Sequence, residues 1–344
     1  VRLCAGLLSA QRFSSVLIGD ESLSTRPMQR IVDPLTSMGA NISASDKGTL
    51  PITINSVKSL QSIEYSLPVA SAQVKSCLML AGLFAEGETR IKENVITRDH
   101  TEKIFLEFGI PIEIFSEKTF KTICVSKIQR IEPKDISVPG DFSSASFFIL
   151  AALICPNSFL RLNNVGINDT RIGFLHALRN MGANIDLINH KDTPEPTADI
   201  LVKTSVLQGI TLDTALVANM IDEMPAFFMA AALAEGMTIV KDAKELRTKE
   251  SDRLQAMADS LNAFGISYQL SDDGIVIHGI GSKGILNSAE IDSYGDHRIA
   301  MASAIGSLRS ENEVRISDCK NVNTSFPNFI GICKSVGIEI DEFE

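Results

Sequence analysis

The chain of 344 residues is 44% hydrophobic and 22% charged, an ordinary globular composition that allows two domains with sizeable cores. Its net charge of −10 argues against nucleic acid as a partner, but a local cationic cleft for a small anionic substrate stays compatible with it. No apolar run reaches the ~18–20 residues that span a bilayer, and six scattered cysteines without a CxxC pair disfavour structural zinc and favour reduced thiols.

Two landmarks recur along the chain at intervals of about 70–80 residues, which indicates an internal repeat. Helices of small apolar residues are predicted around "AGLL" at 5, "AGLF" at 81, "AALI" at 151, "AALA" at 231 and "SAIG" at 303. Each is followed by "MGANI" at 38, "FGIPI" at 108, "MGANI" at 181, "FGISY" at 264 or "VGIEI" at 336. The chain therefore holds five copies of one unit.

Each copy has the same order of predicted elements. A small-residue helix comes first, then a β-branched strand, then an amphipathic helix that ends near glycine, then alternating strands. Helices and strands that alternate in this way predict an α/β fold. The small-residue helices are apolar nearly all round, so we expect them to be buried inside each domain.

Turn residues divide the five copies into two groups. Pro139 and Gly140 in "ISVPGDFSSAS" indicate a turn or loop between the second and third copies. We therefore predict a first domain over residues 1–138 and a second over 139–344.

Polar residues stand at the predicted starts of the apolar helices in several copies. Helix N-termini carry unpaired N–H groups and a partial positive charge, which suit phosphates and carboxylates. Ser71, Ser143 and Ser144 also fit plain N-caps, and Asp222 fits a cap or a surface acid as well as a catalyst. Arg26, Arg98 and His100 also fit solvated loops. The residues at helix starts are Arg2, Ser71, Gln73, Asp141, Ser143, Ser144, Asp222, Glu223, Asp296, His297 and Arg298.

The stretch "ELRTKESDRLQAMADSL" over residues 245–261 combines a charged first half with an amphipathic second half. Leu254, Met257 and Leu261 are spaced as one helix face. Glu250 and Arg253 extend that apolar stripe toward the N-terminus, so the pattern aims both charges at the core side. Burying charge is costly unless it is paired or meets a ligand. Ion pairing four residues apart on an exposed face is the alternative.

Five motifs together resemble the 5-enolpyruvylshikimate-3-phosphate synthase family over residues 2 to about 337. They are "SLSTRPMQR", "SAQVKSCLMLAGL", "LRTKESDRLQAMA", "YGDHRIAM" and "TSFPNF". "SAQVKS" and "TRDHTEK" are similar to a bacterial subgroup of that family. The resemblance implies a two-domain enolpyruvyl transferase fold, an inverse half-barrel, with six βαβαββ units. Because five copies are present, we expect the chain to be truncated at its N-terminus by one unit.

The resemblance also implies a reaction. An enolpyruvyl group moves from phosphoenolpyruvate to the 5-hydroxyl of shikimate 3-phosphate, and phosphate is released by addition and elimination. The matching catalytic residues are Asp222 and Glu250. The positions that match the family's binding residues are Ser71, Gln73, Arg98, Asp222 and Lys249 for shikimate 3-phosphate, Arg26, Gln73, Arg253 and Arg298 for phosphoenolpyruvate, and Arg2 and His297 as neighbours of the site.

Two positions depart from the better-known family pattern. Ala72 replaces a serine, and Thr324 stands near a lysine position, so no ligand contact is assigned there. Charge, hydropathy and the scattered cysteines predict a cytoplasmic protein without a metal, membrane or nucleic-acid partner, with a plastid as the open alternative in location. We also expect a monomer without cofactor. Rival functions are the UDP-N-acetylglucosamine enolpyruvyl transferase, whose loop cysteine has no counterpart here, and an inactive fragment of the synthase.

Overall fold

The computed structural model describes residues 1–117 and 120–343 and divides the chain into two compact units, Val1–Ser137 and Val138–Glu344. Each unit has its own cluster of buried apolar side chains. The domains expected at 1–138 and 139–344 stay a prediction, because compactness alone does not establish independent folding.

Among its described residues the first unit holds short strands and five helices. Its helices are α1 (Arg2–Leu8), α2 (Glu21–Ser24), α3 (Gln29–Ser37), α4 (Ala72–Gly82) and α5 (His100–Glu107). Its strands are β1 (Ser15–Leu17), β2 (Asn41–Ser43), β3 (Ile52–Asn55), β4 (Leu60–Gln61), β5 (Glu64–Ser66), β6 (Ala85–Glu86), β7 (Glu88–Glu93), β8 (Ile112–Ser116) and β9 (Lys121–Ser126). They pair in the orders β1-β3-β2, β4-β6 and β5-β7-β9-β8.

The second unit repeats this alternation. Its helices are α6 (Phe142–Ile154), α7 (Gly173–Asn180), α8 (Thr214–Val217), α9 (Met224–Ala232), α10 (Arg253–Ala263), α11 (His297–Gly306), α12 (Lys320–Ser325) and α13 (Phe329–Ser335). Its strands are β10 (Phe159–Gly166), β11 (Asn184–Lys191), β12 (Thr197–Lys203), β13 (Glu235–Val240), β14 (Ser267–Leu270), β15 (Ile275–Ile280), β16 (Glu290–Asp292) and β17 (Arg315–Ser317). Their orders are β10-β12-β11, β13-β15-β14 and β16-β17.

The internal repeat is visible in the strand order of the sheets. In β1-β3-β2, β10-β12-β11 and β13-β15-β14 the last strand of each copy lies between the first two and is antiparallel to both. A small-residue helix precedes each of these sheets and an amphipathic helix lies within each copy. The expected α/β fold class is confirmed.

The small-residue helices form the centre of the second unit. All nine residues of α9 are buried, as are twelve of the thirteen in α6, and α6, α9 and α11 pack against one another. Small side chains allow this close approach of helices. The expectation of burial is wrong for α1, which buries only Ala5 and Gly6 because a single face packs against α4. There a Cβ on Gly6 would lie 2.0 Å from the carbonyl oxygen of Cys77, so only glycine fits.

The predicted helix over 245–261 begins later than its pattern indicates. Lys244–Thr248 form a 3₁₀ turn, and α10 starts at Arg253 with Asp252 as its N-cap, accepting from the backbone N–H of Gln255. The apolar stripe therefore does not extend to Glu250. The Asp252 cap competes successfully with helix propagation because its side chain satisfies a free backbone donor.

None of the described helices combines the length and apolar character needed to cross a membrane.

Candidate active site

Charged side chains of the second unit converge where several helices begin. The sequence supplies each from a loop or first turn, where free N–H groups and the helix dipole meet polar ligands. Arg171 lies just before α7, Asp222 just before α9, Glu250 ahead of α10, Arg253 at the start of α10, and Asp296 and Arg298 at the start of α11. We call these six residues, together with Ser143 of α6 and Glu223, the arginine cluster.

Arg253 is the most deeply placed cation of the arginine cluster, with none of its surface exposed. Its Nε donates to Asp296 Oδ2 at 2.8 Å and its Nη2 to Glu250 Oε2 at 2.6 Å, and Nη1 lies 3.5 Å from Asp222 Oδ1. Burial alone would lower the pKa of this guanidinium, but Asp296 and Glu250 reverse the effect and raise it. The sequence correctly predicted that Arg253 faces inward, and carboxylates explain how its charge is tolerated.

Asp222 meets three arginines from three different segments. Its Oδ2 lies 3.4 Å from Arg171 Nη1 and 3.9 Å from Arg298 Nη2, and its Oδ1 lies 3.5 Å from Arg253 Nη1. The backbone carbonyl of Asp222 also accepts from Arg298 Nη1 at 3.0 Å. Opposite charges this close favour the ionised carboxylate. Asp222 is not a helix cap, because Glu223 occupies the N-cap position of α9.

Two guanidinium donors in the arginine cluster are buried without a hydrogen-bond partner in the described part of the chain. They are Nη1 of Arg253 and Nε of Arg298. A buried donor left unpaired costs free energy, and a bound carboxylate or phosphate removes that cost. Both atoms belong to arginines that neighbour Asp222, so the cluster retains capacity for an anion despite its internal ion pairs.

Arg171 was not predicted as a site residue from the sequence, although its partners Ser143, Asp222 and Glu223 were selected as polar residues at helix starts. Arg171 Nη2 donates to Ser143 Oγ at 2.6 Å and lies 3.5 Å from Glu223 Oε1. Arg171 stands ten residues before its "MGANI" landmark, and Arg98 stands ten residues before "FGIPI". Aligning the internal repeat on these landmarks is the signal that could have found it.

Glu223 is a wholly buried carboxyl group beneath Asp222. Ser143 Oγ donates to Glu223 Oε1, whereas Oε2 is buried without a partner among the described residues. Burial raises the pKa of Glu223 against the opposing charge of Arg171, and the neighbouring Asp222 adds to the rise.

The serines expected to cap α6 do not do so. Asp141 caps α6 and accepts from the N–H of Ser144 at 2.8 Å, whereas Ser143 and Ser144 lie inside the helix, which begins at Phe142.

His297, the first residue of α11, is half-buried next to the arginine cluster. Burial, helped by the positive charge of Arg298, lowers its pKa from 6.5 to about 4, although Asp296 and Glu250 act in the opposite sense. The ring is therefore neutral near pH 7 and can serve as a hydrogen-bond donor or acceptor.

This pKa predicts a pH dependence of stability. The unfolded chain binds a proton at His297 near pH 6.5 and the folded chain only near pH 4, so the contribution is constant above about pH 6.5. Between those values the free energy of unfolding should fall as pH falls, by about 3 kcal/mol over the whole window. Urea unfolding at several pH values measures it. His297→Asn should reduce the slope of the free energy of unfolding against pH by an amount equivalent to at most one bound proton. Equal slopes in both proteins would contradict the assignment.

Lys249 and Glu250 lie in the segment between the 3₁₀ turn and α10. Lys249 is paired with Glu245, four residues earlier, and its side chain is 22% exposed. This pair is of the kind that the alternative interpretation of the segment predicted. Glu250 is 21% exposed and bound to Arg253. Glu250 thus reaches the arginine cluster, whereas Lys249 faces its own segment.

The first unit brings together a second set of predicted residues. Arg2 Nη1 donates to Gln73 Oε1 and Nη2 donates to the carbonyl of Pro27 at 3.1 Å. Burial, with the charges of Arg30 and Arg26, lowers the pKa of Arg2, and its Nε is buried without a partner among the described residues. Arg2, Arg26 and Gln73 therefore form a cationic site suited to an anion.

Ser71 lies at the start of α4, and Arg98 lies in the segment just before α5. Ser71 is the N-cap of α4 and accepts from the N–H of Val74 at 3.4 Å, so the simple capping interpretation is confirmed for it. Arg98 and His100 are half-buried. A cap hydroxyl keeps one proton free to donate to a ligand oxygen, so capping and ligand binding are compatible at Ser71.

The fold of the whole chain has solved counterparts. An EPSP synthase structure from Acinetobacter baumannii superposes with a TM-score of 0.89 at 44% identity and covers 99% of this chain and 77% of that one. The enolpyruvyl transferase NikO from Streptomyces tendae has a TM-score of 0.76 at 15% identity, with 98% of this chain and 76% of that one covered; it supports the fold alone. Fold and arginine cluster together define an enolpyruvyl transferase.

Sequence comparison gives the particular family. A model of EPSP synthase (3-phosphoshikimate 1-carboxyvinyltransferase) matches residues 1–332. The 3-phosphoshikimate 1-carboxyvinyltransferase of Coxiella burnetii strain RSA 331 is 47% identical over 341 residues, 99% of this chain and 76% of the relative. That of Xanthomonas oryzae pv. oryzae strain PXO99A is 48% identical over 345 residues, 100% of this chain and 77% of the relative. The chain belongs to the EPSP synthase family, and the transferase function expected from its motifs is confirmed.

Proposed function

We propose that Asp222, Glu250, Arg253 and Arg298 perform the family's reaction in this chain. Phosphoenolpyruvate gives its enolpyruvyl group to the 5-hydroxyl of shikimate 3-phosphate, and inorganic phosphate leaves. The hydroxyl oxygen adds to C2 as C3 gains a proton, which forms a tetrahedral intermediate. That intermediate then loses a C3 proton and phosphate, which leaves the enol ether. Each half-reaction needs a base at one atom and an acid at another.

Asp222 is the base for the 5-hydroxyl. Three arginines lie within 3.9 Å of its carboxylate, and they keep it ionised and ready to accept a proton. Accepting a proton weakens its attraction to those arginines. Their charge then becomes available to the carboxylate of the enolpyruvyl group in the intermediate.

Glu250 exchanges the proton with C3. Arg253 links it to the base, because Nη2 donates to Glu250 at 2.6 Å while Nη1 lies 3.5 Å from Asp222. One rigid guanidinium thus fixes the separation between the proton donor and the proton acceptor. The partial exposure of Glu250 allows its proton to exchange with solvent between turnovers.

Arg253 and Arg298 bind the carboxylate of phosphoenolpyruvate. The observation that carries this proposal is the pair of buried donors, Arg253 Nη1 and Arg298 Nε, that find no hydrogen-bond partner within residues 1–117 and 120–343. Planar guanidinium groups match the geometry of a carboxylate. The same pair gives phosphoenolpyruvate a fixed orientation relative to Asp222.

The first unit contains its own set of residues suited to anions. Among them, Arg26 and Gln73 are the proposed contacts of the phosphate of phosphoenolpyruvate, and Ser71, Gln73 and Arg98 are those of shikimate 3-phosphate. Lys249 is a further proposed contact of shikimate 3-phosphate. The Nε of Arg2, which is buried and has no hydrogen-bond partner in the described part of the chain, supports an anion beside Gln73. No cofactor or metal enters this scheme, because proton transfer and cationic groups supply what addition and elimination need. A monomeric state and a cytoplasmic location remain predictions from the sequence.

A phosphate-release assay tests the proposed function. With shikimate 3-phosphate and phosphoenolpyruvate the enzyme should release inorganic phosphate and form an enol ether detectable by mass spectrometry. UDP-N-acetylglucosamine in place of shikimate 3-phosphate is the control and should give no release. Turnover with the nucleotide sugar alone would refute the assignment of substrate.

A further inference from the structure

A buried group of four charged residues connects α4 to the segment that carries Arg98. Lys75 lies one turn after Ser71 and has no exposed surface. Its Nζ lies 2.7 Å from Glu102 Oε1 and 3.2 Å from Glu93 Oε2, and Lys121 Nζ lies 3.3 Å from the same oxygen of Glu102. We call Lys75, Glu93, Glu102 and Lys121 the Lys75 cluster.

The Lys75 cluster holds both ends of the Arg98 loop, residues 94–99. Glu93 is the last residue of β7 and Glu102 lies in the first turn of α5. Inside the loop, Thr97 Oγ1 donates to Glu93 Oε2 at 2.9 Å. A further hydrogen bond of 2.6 Å joins Ser76 of α4 to Thr101. Polar links therefore fix the loop at its entry, middle and exit.

Apolar packing does little to hold the same loop. Val95 is 54% exposed and Ile96 is 58% exposed, so their side chains contribute little burial energy. A loop without apolar anchors is ordered by its hydrogen bonds and ion pairs. The polar links to the Lys75 cluster therefore restrain the segment that carries Arg98.

The charges of the Lys75 cluster are balanced internally. Two lysines face two glutamates, and Lys75 and Glu93 are both almost completely buried. An ammonium that two carboxylates already neutralise has little attraction left for a substrate anion. Lys75 is therefore suited to hold structure and not to bind substrate, although it lies on the same helix as Ser71 and Gln73.

We propose that Lys75 is a positioning residue for shikimate 3-phosphate. Through Glu93 and Thr97 it fixes the Arg98 loop relative to the first turns of α4, so that Arg98 and Ser71 present donors at a constant separation. This inference rests on the proposed binding roles of those two residues. It adds a specificity function to side chains that do not touch the substrate.

The test compares Thr97→Val with Thr97→Ser. Valine has nearly the shape of threonine but cannot donate to Glu93, whereas serine can. Thr97→Val should raise KM for shikimate 3-phosphate about three- to tenfold, as expected for one lost hydrogen bond. KM for phosphoenolpyruvate and the melting temperature should change little, and Thr97→Ser should restore the normal value. Amide hydrogen exchange over residues 94–99 should be faster in Thr97→Val alone.

Lys75→Met and Arg98→Ala complete the experiment. Lys75→Met should have the same selective effect on KM but a larger one; if it fails to fold, the threonine pair decides. If Arg98→Ala raises KM for shikimate 3-phosphate and Thr97→Val does not, the proposed function stands and the positioning inference is wrong. If Arg98→Ala leaves that KM unchanged, the binding role of Arg98 is wrong, and with it this inference. An equal rise of both KM values in Thr97→Val would also overturn it.

Discussion

Replacing Arg253 with methionine is expected to lower the free energy of unfolding by about 3–5 kcal/mol, the usual cost of removing one partner from a buried ion pair. The guanidinium compensates Asp296, Glu250 and Asp222, and Asp296 is wholly buried. Methionine fills much of the volume but leaves these carboxylates without their cation. Chemical denaturation monitored by circular dichroism measures the change.

Arg315→Met is the matched control. Arg315 pairs with Glu313 at 2.8 Å, but both side chains are more than 60% exposed. Exposed pairs contribute little to stability, so this variant should unfold at nearly the same denaturant concentration as the parent. If Arg253→Met is equally harmless, the carboxylates around it are not held by its charge. Lys in place of Arg253 should recover part of the stability but less of the activity, because an ammonium lacks the planar fork.

Replacing Glu250 with glutamine is expected to reduce turnover by about 10²–10⁴-fold, the usual range for a general acid–base group. Glutamine keeps the shape and can still accept from Arg253 Nη2, but it cannot transfer a proton to C3. Arg253 also retains Asp296 at 2.8 Å, so the melting temperature should fall only slightly. Steady-state phosphate release and thermal unfolding of the same preparation measure both quantities.

The control for Glu250 is the same chemical change at an exposed site. Glu313→Gln removes a carboxylate whose side chain is 66% exposed and should keep normal turnover. A Glu250→Gln enzyme with near-normal rate and a sharply lower melting temperature would show that Glu250 serves only as a structural partner of Arg253.

The internal repeat made much of the fold predictable. Two landmarks at a constant period located the buried helices α4, α6, α9 and α11. A helix that is apolar nearly all round is stable only when it is buried. The boundaries were less predictable. Asp252 caps α10 and excludes Glu250 from the helix, and a competing helix start is hard to see where charged residues follow one another closely.

The site was predictable as a set of charges but not as a set of pairs. Arg253 breaks an apolar stripe, and that break is visible in sequence. Its main partner Asp296 lies 43 positions away, and only the fold determines that they meet. Arg171 breaks no stripe, so periodicity gave no reason to select it. Glu223 was visible as a polar helix start, but its complete burial depends on the packing of α9.

The arginine cluster has a consequence for how the enzyme behaves among other anions. Its three guanidinium groups are outnumbered by the four carboxyl groups of Asp222, Glu223, Glu250 and Asp296, so the cluster carries no net positive charge. Chloride, sulfate and free phosphate, which are drawn mainly by long-range attraction, gain little from entering it. In the proposed function, a ligand is held instead by its oxygens, which meet particular N–H groups at short range. We therefore expect the site to select ligands by shape in a medium rich in competing salts, with an occupancy that depends only weakly on ionic strength.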